Sequence, residues 1–240
     1  MTLPSDRPVA LVTGANRGIG KEIARGLARA GMTVLLGSRD PERGVLAARE
    51  LAADGVVFVQ LVDVTDPASV TSTAQAITRR FGRLDVLVNN AGIAQRGIGA
   101  PSAFTAEHLR VVYETNVFGV VTMMHTLLPL LRLAPAARVV NVSSTRGSLT
   151  EPSAFGGQPN LAYSTSKTAL NALTVHYARE LADTPIKVNA ASPGHVATDF
   201  NDHTGTRTPE QGAAVVVRLA TLPADGPTGG FFNDDRAESW

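Results

Sequence analysis

The segment Thr13-Gly-Ala-Asn-Arg-Gly-Ile-Gly20 constrains this chain more than any other. It follows the apolar run Val9–Val12 and precedes a helical pattern over residues 21–30. A continuous apolar run of that length suits a strand covered on both faces. Glycine at 14, 18 and 20 lets the backbone turn tightly and approach a ligand. The helix that comes next turns its unpaired N–H groups towards the same place. Strand, glycine-rich turn and helix in that order predict a pyrophosphate-binding unit. A glycine-rich turn alone is a weak signal, and its place between a strand and a helix is what gives it force.

The rest of the chain repeats this alternation. Short apolar runs recur at residues 33–36, 56–59, 86–88, 139–142 and 186–188, with helical patterns between them. Asp40-Pro41, Asp66-Pro67 and Thr208-Pro209 each offer an N-cap oxygen ahead of a proline at the first helical position. Thr208 with Gln211 also fits a capping box, and Gly31 and Gly55 sit where helices should stop. The pattern predicts an α/β fold: a single-domain Rossmann-type doubly wound parallel sheet of about seven strands with helices on both faces. Residues 1–240 then make a single dinucleotide-binding and catalytic domain. Ligands of such sheets bind at the C-terminal ends of the strands, so function is read from the residues just past each strand.

Composition removes several classes of function. With 44% hydrophobic and 18% charged residues, the chain is globular. A net charge of +1 gives no footprint for nucleic acid or an anionic membrane. The absence of cysteine excludes disulfides, thiolate catalysis and cysteine-ligated metal, and no metal site is expected. The most apolar stretch, residues 117–133, is broken by His125, Pro129 and Arg132, so no membrane span is expected. The N-terminus lacks a charged region followed by a long apolar one, which predicts an untargeted, cytoplasmic chain.

The second strand runs into Leu36-Gly37-Ser38-Arg39, without the acid that usually binds a ribose 2′-hydroxyl. Arg39, and Arg17 from the glycine loop, suit a 2′-phosphate and favour NADP(H) over NAD(H). Two solvated surface arginines are the plainer alternative. After the third strand, Asp63-Val64 offers a carboxylate to an adenine amino group, although the same acid suits a turn before the Asp66 cap. The fourth strand meets Asn89-Asn90-Ala91-Gly92, whose amides can pin neighbouring strands and whose small residues leave room for a flat ring, or which form a simple turn. Ser143 and Ser144 follow the fifth strand, and Pro193-Gly194 the sixth. Tyr163 and Lys167 are four apart at the start of an apolar helix, so they share a face. A surface tyrosine beside a solvated lysine has the same spacing. Asn116 and Gly119 are poor helix formers inside a helical pattern, and they predict a local kink with a freed carbonyl.

Taken together, these residues resemble the short-chain dehydrogenase/reductase family in its compact, carbonyl-reductase-like branch. The resemblance spans residues 8–240 and rests on order and spacing: Thr13-Gly14-x-x-x-Gly18-x-Gly20, Asn89-Asn90-Ala91-Gly92, Asn116, Ser144, Tyr163-x-x-x-Lys167 and Pro193-Gly194. It implies a tetrad in which Tyr163 is the general acid/base and Lys167 lowers its pKa and binds the nicotinamide ribose. Ser144 orients the carbonyl, and Asn116 holds a proton-relay water. It also implies that Gly14, Asn16, Arg17, Gly18, Ile19, Gly20, Arg39, Asp63, Val64, Asn90, Ala91, Gly92, Tyr163, Lys167, Pro193, Gly194, Val196 and Thr198 contact NADP(H). The expected activity is hydride transfer between the nicotinamide and a small-molecule carbonyl or secondary alcohol. The rival is a non-catalytic NADP-binding regulator, which would need no intact tetrad.

The chain departs from the shortest members of the family between Ser144 and Tyr163, where residues 150–160 read as a modest insertion. Compact monomeric carbonyl reductases carry a larger one there, which leaves monomer, homodimer and homotetramer open. Within the helical pattern over 111–131, the apolar residues of 117–131 cover about two-thirds of the wheel, which suits either an assembly face or burial within one chain. Only residues 199–207 are available as a lid.

Overall fold

The computed structural model describes residues 7–152, 156, 158–234 and 236–240. Residues 1–6, part of the segment read as untargeted, and 153–155 and 157 of the insertion lie outside them. Among the described residues one sheet has the strand order β3-β2-β1-β4-β5-β6-β7-β8. The strands are β1 (Val9–Val12), β2 (Thr33–Ser38), β3 (Val56–Leu61), β4 (Val86–Asn89), β5 (Arg138–Val142), β6 (Lys187–Ala191), β7 (Phe231–Asn233) and β8 (Arg236–Ala237). Neighbours from β3 to β7 pair in parallel, and β8 returns antiparallel to β7. The six apolar runs form β1 to β6, and β7 and the two-residue return β8 bring the sheet to eight strands against the expected seven or so. β6 lies later than its apolar run because Ala190 and Ala191 pair with Asn141 and Val142. Alanine carries little strand signal, so pairing decides.

Alternate residues of each strand feed different cores, as a sheet buried on both faces requires. Leu11, Leu35, Leu87, Val139 and Val188 pack against helices α3 (Pro67–Phe81), α5 (Gly119–Leu131) and α6 (Leu161–Glu180). Ala10, Val12, Val34, Leu36, Val88 and Val140 pack against α1 (Gly18–Arg29), α2 (Pro41–Glu50) and α7 (Pro209–Ala220). The helix starts fall where the caps predict. The Asp40 carboxylate accepts from Arg43 N, Asp66 from Ala68 N, and Thr208 and Gln211 bond reciprocally. Gly31 follows the end of α1 at φ 86°. Gly55 does not end α2, which is capped at Leu51. At Gly55, a Cβ would stand 2.7 Å from the carbonyl of Ala28, so close packing is what needs glycine there.

The helical pattern over 111–131 forms as α4 (Ala106–Tyr113), a π turn (Glu114–Phe118) and α5. The kink expected at Asn116 is this π turn. Val117, Val120, Met123, Met124, Leu127, Leu130 and Leu131 are buried within the chain, which absorbs most of the apolar wheel, while Phe118 stays 51% exposed. No helix among the described residues is long and apolar enough to cross a membrane, and no three or more His, Asp or Glu side chains there come together as a metal-binding group.

Candidate active site

The strand order reverses between β1 and β4, and ligands of doubly wound sheets bind at such a switch point. A cleft of about 1170 Å³ opens there, running from the glycine loop to Tyr163 and on to the segment after β6. All eighteen residues expected to contact the cofactor line it, and so does Ser144.

The glycine loop is sewn to both neighbouring strands. Ala15 N donates to Gly37 O at 2.8 Å. Asn90 donates its side-chain amide to the carbonyls of Thr13 at 2.8 Å and Gly14 at 3.1 Å. The Thr13 hydroxyl accepts from the N–H groups of Asn90 and Ala91. Asn90 therefore acts on a ligand through the loop it holds. Gly14 and Gly18 take φ 61° and 54°, the left-handed region glycine tolerates. At Gly20, a Cβ would stand 2.4 Å from the Asn90 amide nitrogen. Arg17 precedes α1 without a side-chain cap, so the first N–H groups of the helix face the cleft with no capping oxygen.

The cations at this end behave differently from one another. Arg39 is exposed and makes no hydrogen bond or ion pair among the described residues, although its charge helps hold the Asp63 carboxyl below its usual range. Arg17 instead pairs with Asp199 at 2.8 Å, tying the glycine loop to the lid. Asp199 also pairs with His203, and Arg96 pairs with Asp202. One Asp63 oxygen accepts from the N–H and hydroxyl of Thr65, so the turn function weighed for it is present. Val64 is buried beside Gly119 of α5.

At the other end, the chemistry-bearing side chains come from β5, α6 and the π turn. Ser143 is buried, and its hydroxyl donates to Asn171 at 2.5 Å. Ser144 faces the cleft beside Tyr163 and accepts from Arg146 N. Asn160 caps α6 by accepting from Tyr163 N, and it donates to Gln95 O. Phe200 of the lid packs on the Tyr163 ring, with centroids 5.5 Å apart. Lys167 is 4% exposed, donates to Val142 O at 2.7 Å and lies 5.6 Å from the centre of the Tyr163 ring. A Cβ on Gly147 would stand 2.7 Å from the Lys167 backbone, so this glycine admits α6 to its place. Asn116 is 1% exposed. Its Oδ1 accepts from Ile93 N, and its amide donates to Ile93 O and Ser166 Oγ.

The electrostatics differ from the simplest expectation. Burial pushes the Tyr163 phenol up from its ordinary value, and it is Ser144 and the charge of Arg146 that pull it down. Burial lowers Lys167 to about 8, because desolvation disfavours its ammonium. Sequence reasoning missed Arg146, Phe200 and the lid pairing of Asp199. Asn160 was legible as an N-cap three residues before Tyr163; Arg146 carries no motif.

Fold and site together define a doubly wound α/β protein with a nucleotide-sized cleft at its switch point, into which Tyr163 and Lys167 both open. A family profile described as short chain dehydrogenase matches residues 8–208. Short-chain dehydrogenase/reductase 1 of Saponaria officinalis is 39% identical, with 93% of each chain covered. Carbonyl reductase [NADPH] 1 of Rattus norvegicus is 36% identical over 99% of this chain and 100% of its own. Both alignments run over 282 positions, so these relatives carry segments that the 240-residue chain lacks. The solved Pseudomonas aeruginosa RhlG/NADP active-site complex superposes with a TM-score of 0.85 at 33% identity, covering 97% of this chain and 96% of that one. The chain belongs to the short-chain dehydrogenase/reductase family, on its carbonyl-reductase-like side, and is an oxidoreductase of a nicotinamide cofactor.

Proposed function

We propose that the protein is an NADPH-dependent carbonyl reductase, with Tyr163 as its general acid/base. The observation that carries this reading is the convergence of Tyr163, Ser144 and Lys167 in one cleft with the glycine loop. The residues present fit the cofactor: left-handed glycines, bare N–H groups at the start of α1, and an Arg39 guanidinium with no carboxylate bound to it among the described residues. When bound, the nicotinamide supplies the hydride to the carbonyl carbon, or takes it back from a secondary alcohol.

The chain handles the proton. As the carbonyl oxygen gains negative charge, Tyr163 donates its phenolic proton to it, and Ser144 adds a hydrogen bond to the same oxygen. Lys167 bonds to the Val142 carbonyl inside the sheet, which fixes its ammonium beside the phenol. Both amide protons of Asn116 are engaged, so a relay water held there rests on its main-chain carbonyl in the π turn. Arg39 receives the 2′-phosphate. Arg17 competes for it less well, because its charge is already paired with Asp199.

The test is NADPH oxidation with a panel of ketones and aldehydes, for the wild type and Tyr163→Phe. The wild type turns over, and the variant loses about 100-fold or more in kcat while still binding NADPH. Full activity of the variant refutes the proton-donor role. Silence of the wild type across the panel favours a non-catalytic NADP-binding regulator.

A further inference from the structure

Arg146 sits two residues beyond Ser144, in the turn (Thr145–Gly147) that comes after β5. It is half-buried and lines the cleft with Ser144 and Tyr163. The nucleotide-side groups come after β1, β2 and β3, on the far side of the switch point. Its guanidinium donates to two backbone carbonyls, Gln158 O and Gly156 O, each at 2.9 Å. These belong to the segment that leads into Asn160, the cap of the Tyr163 helix.

Among the described residues Arg146 has no counter-ion: it makes no ion pair with a carboxylate there, and both of its bound partners are neutral. Of the carboxylates lining the cleft, Glu22, Asp40 and Asp63 lie at the nucleotide end, and Asp199 is held by Arg17 and His203. A guanidinium has five N–H donors in a planar fork, and two bonds leave part of that fork unused. A half-buried cation satisfied only by neutral oxygens is stabilised further by an anion.

We propose that Arg146 selects the substrate: the physiological carbonyl compound carries a carboxylate, which the unused face of the Arg146 guanidinium binds while the ketone oxygen meets Ser144 and Tyr163. This rests on the reductase reading above. The placement has two consequences. The distance between ketone and carboxylate in the substrate is set by the span from Ser144 to the guanidinium, so chain length matters within a series. Arg146 also clasps residues 156 and 158, so the wall of the substrate end and the anion site are built by one side chain.

The test uses a homologous series of methyl-keto carboxylic acids of increasing chain length, each paired with its methyl ester. Wild type, Arg146→Gln and Arg146→Lys are assayed with NADPH, and the readout is the ratio of kcat/KM for acid over ester. In the wild type at least one acid is preferred over its ester by about tenfold or more, chiefly through KM. Arg146→Gln removes the preference, and Arg146→Lys keeps part of it. Arg146→Gln also acts on the wall and on Tyr163, so both rates fall together; the ratio separates that effect from anion binding. Turnover of esters with no acid preferred overturns the assignment, as does a ratio that survives Arg146→Gln. Silence of the wild type with every acid, ester and simple ketone overturns the reductase reading itself.

Discussion

Lys167 shows how one residue is set by what packs on it. Its ammonium is buried against the sheet with Val142 O as its hydrogen-bond partner, and burial lowers its pKa from 10.5 to about 8. Between those values the unfolded chain binds more protons than the folded one, so this group makes stability rise with pH across that window. Urea unfolding of the wild type and Lys167→Met at pH 7.5, 8.5 and 9.5 should show the wild type gaining on the variant, by up to about 1.4 kcal/mol per pH unit. Parallel curves would mean that Lys167 is not desolvated. Gly147 carries the complementary prediction. A Cβ there meets Lys167 backbone atoms at 2.7 and 2.9 Å, and backbone cannot swing aside. Gly147→Ala should destabilise by about 1–3 kcal/mol and lower kcat with it; an unchanged urea midpoint would show that α6 has room to shift. Tyr163, Lys167 and Ser144 were legible because chemistry demands their types at fixed spacing. The role of Gly147 was not, since nothing in the sequence reveals that another helix's backbone lies against it.

Among the elements, those with local causes read well and those with tertiary causes did not. β1 was readable as Val9–Val12, and α2, α3 and α7 begin at prolines that directly follow their caps. β8 and the late end of β6 depend on pairing across the sheet, which leaves no local pattern. The break at Asn116 lies between: asparagine and glycine announced a weak spot, and the structure supplies the reason for a π turn. The turn lets the Asn116 amide reach both backbone groups of Ile93 and the Ser166 hydroxyl, joining the segment after β4 to α6. Asn116→Ala leaves the part-buried N–H and carbonyl of Ile93 without these partners, at about 1–3 kcal/mol each, while Ser166 keeps its bond to Tyr163 O. Thermal unfolding of the variant should move down by several degrees, and kcat should fall more than NADPH affinity, because the change lies at the catalytic end of the cleft. A loss of NADPH affinity with normal kcat would place its influence on the nucleotide end instead.

The molecule as a unit works only if one dinucleotide joins the two halves of the sheet. The β1–β3 half brings the glycine loop and Arg39, and the β4–β6 half brings the tyrosine, lysine and serine. A ligand that bridges both halves stabilises the fold by mass action, by about 2.7 kcal/mol at a concentration 100 times its Kd. On the proposed reading Arg39 is the residue that discriminates between cofactors, since it is exposed and bonded to nothing else among the described residues, whereas Arg17 is paired with Asp199. Thermal shift with NADP⁺ and NAD⁺, each titrated over the wild type and Arg39→Ala, therefore has a definite expected pattern. The wild type is stabilised more by NADP⁺ than by NAD⁺ at equal concentration. Arg39→Ala loses that surplus, about tenfold or more in apparent NADP⁺ affinity, while its NAD⁺ shift stays as it was, because only the 2′-phosphate separates the two ligands. Equal losses with both would return Arg39 to the status of a surface charge. Removing Asp199, by Asp199→Asn, should then raise NADP⁺ affinity in the wild-type background by freeing Arg17. If it does not, the ion pair that ties the glycine loop to the lid does not compete with the cofactor.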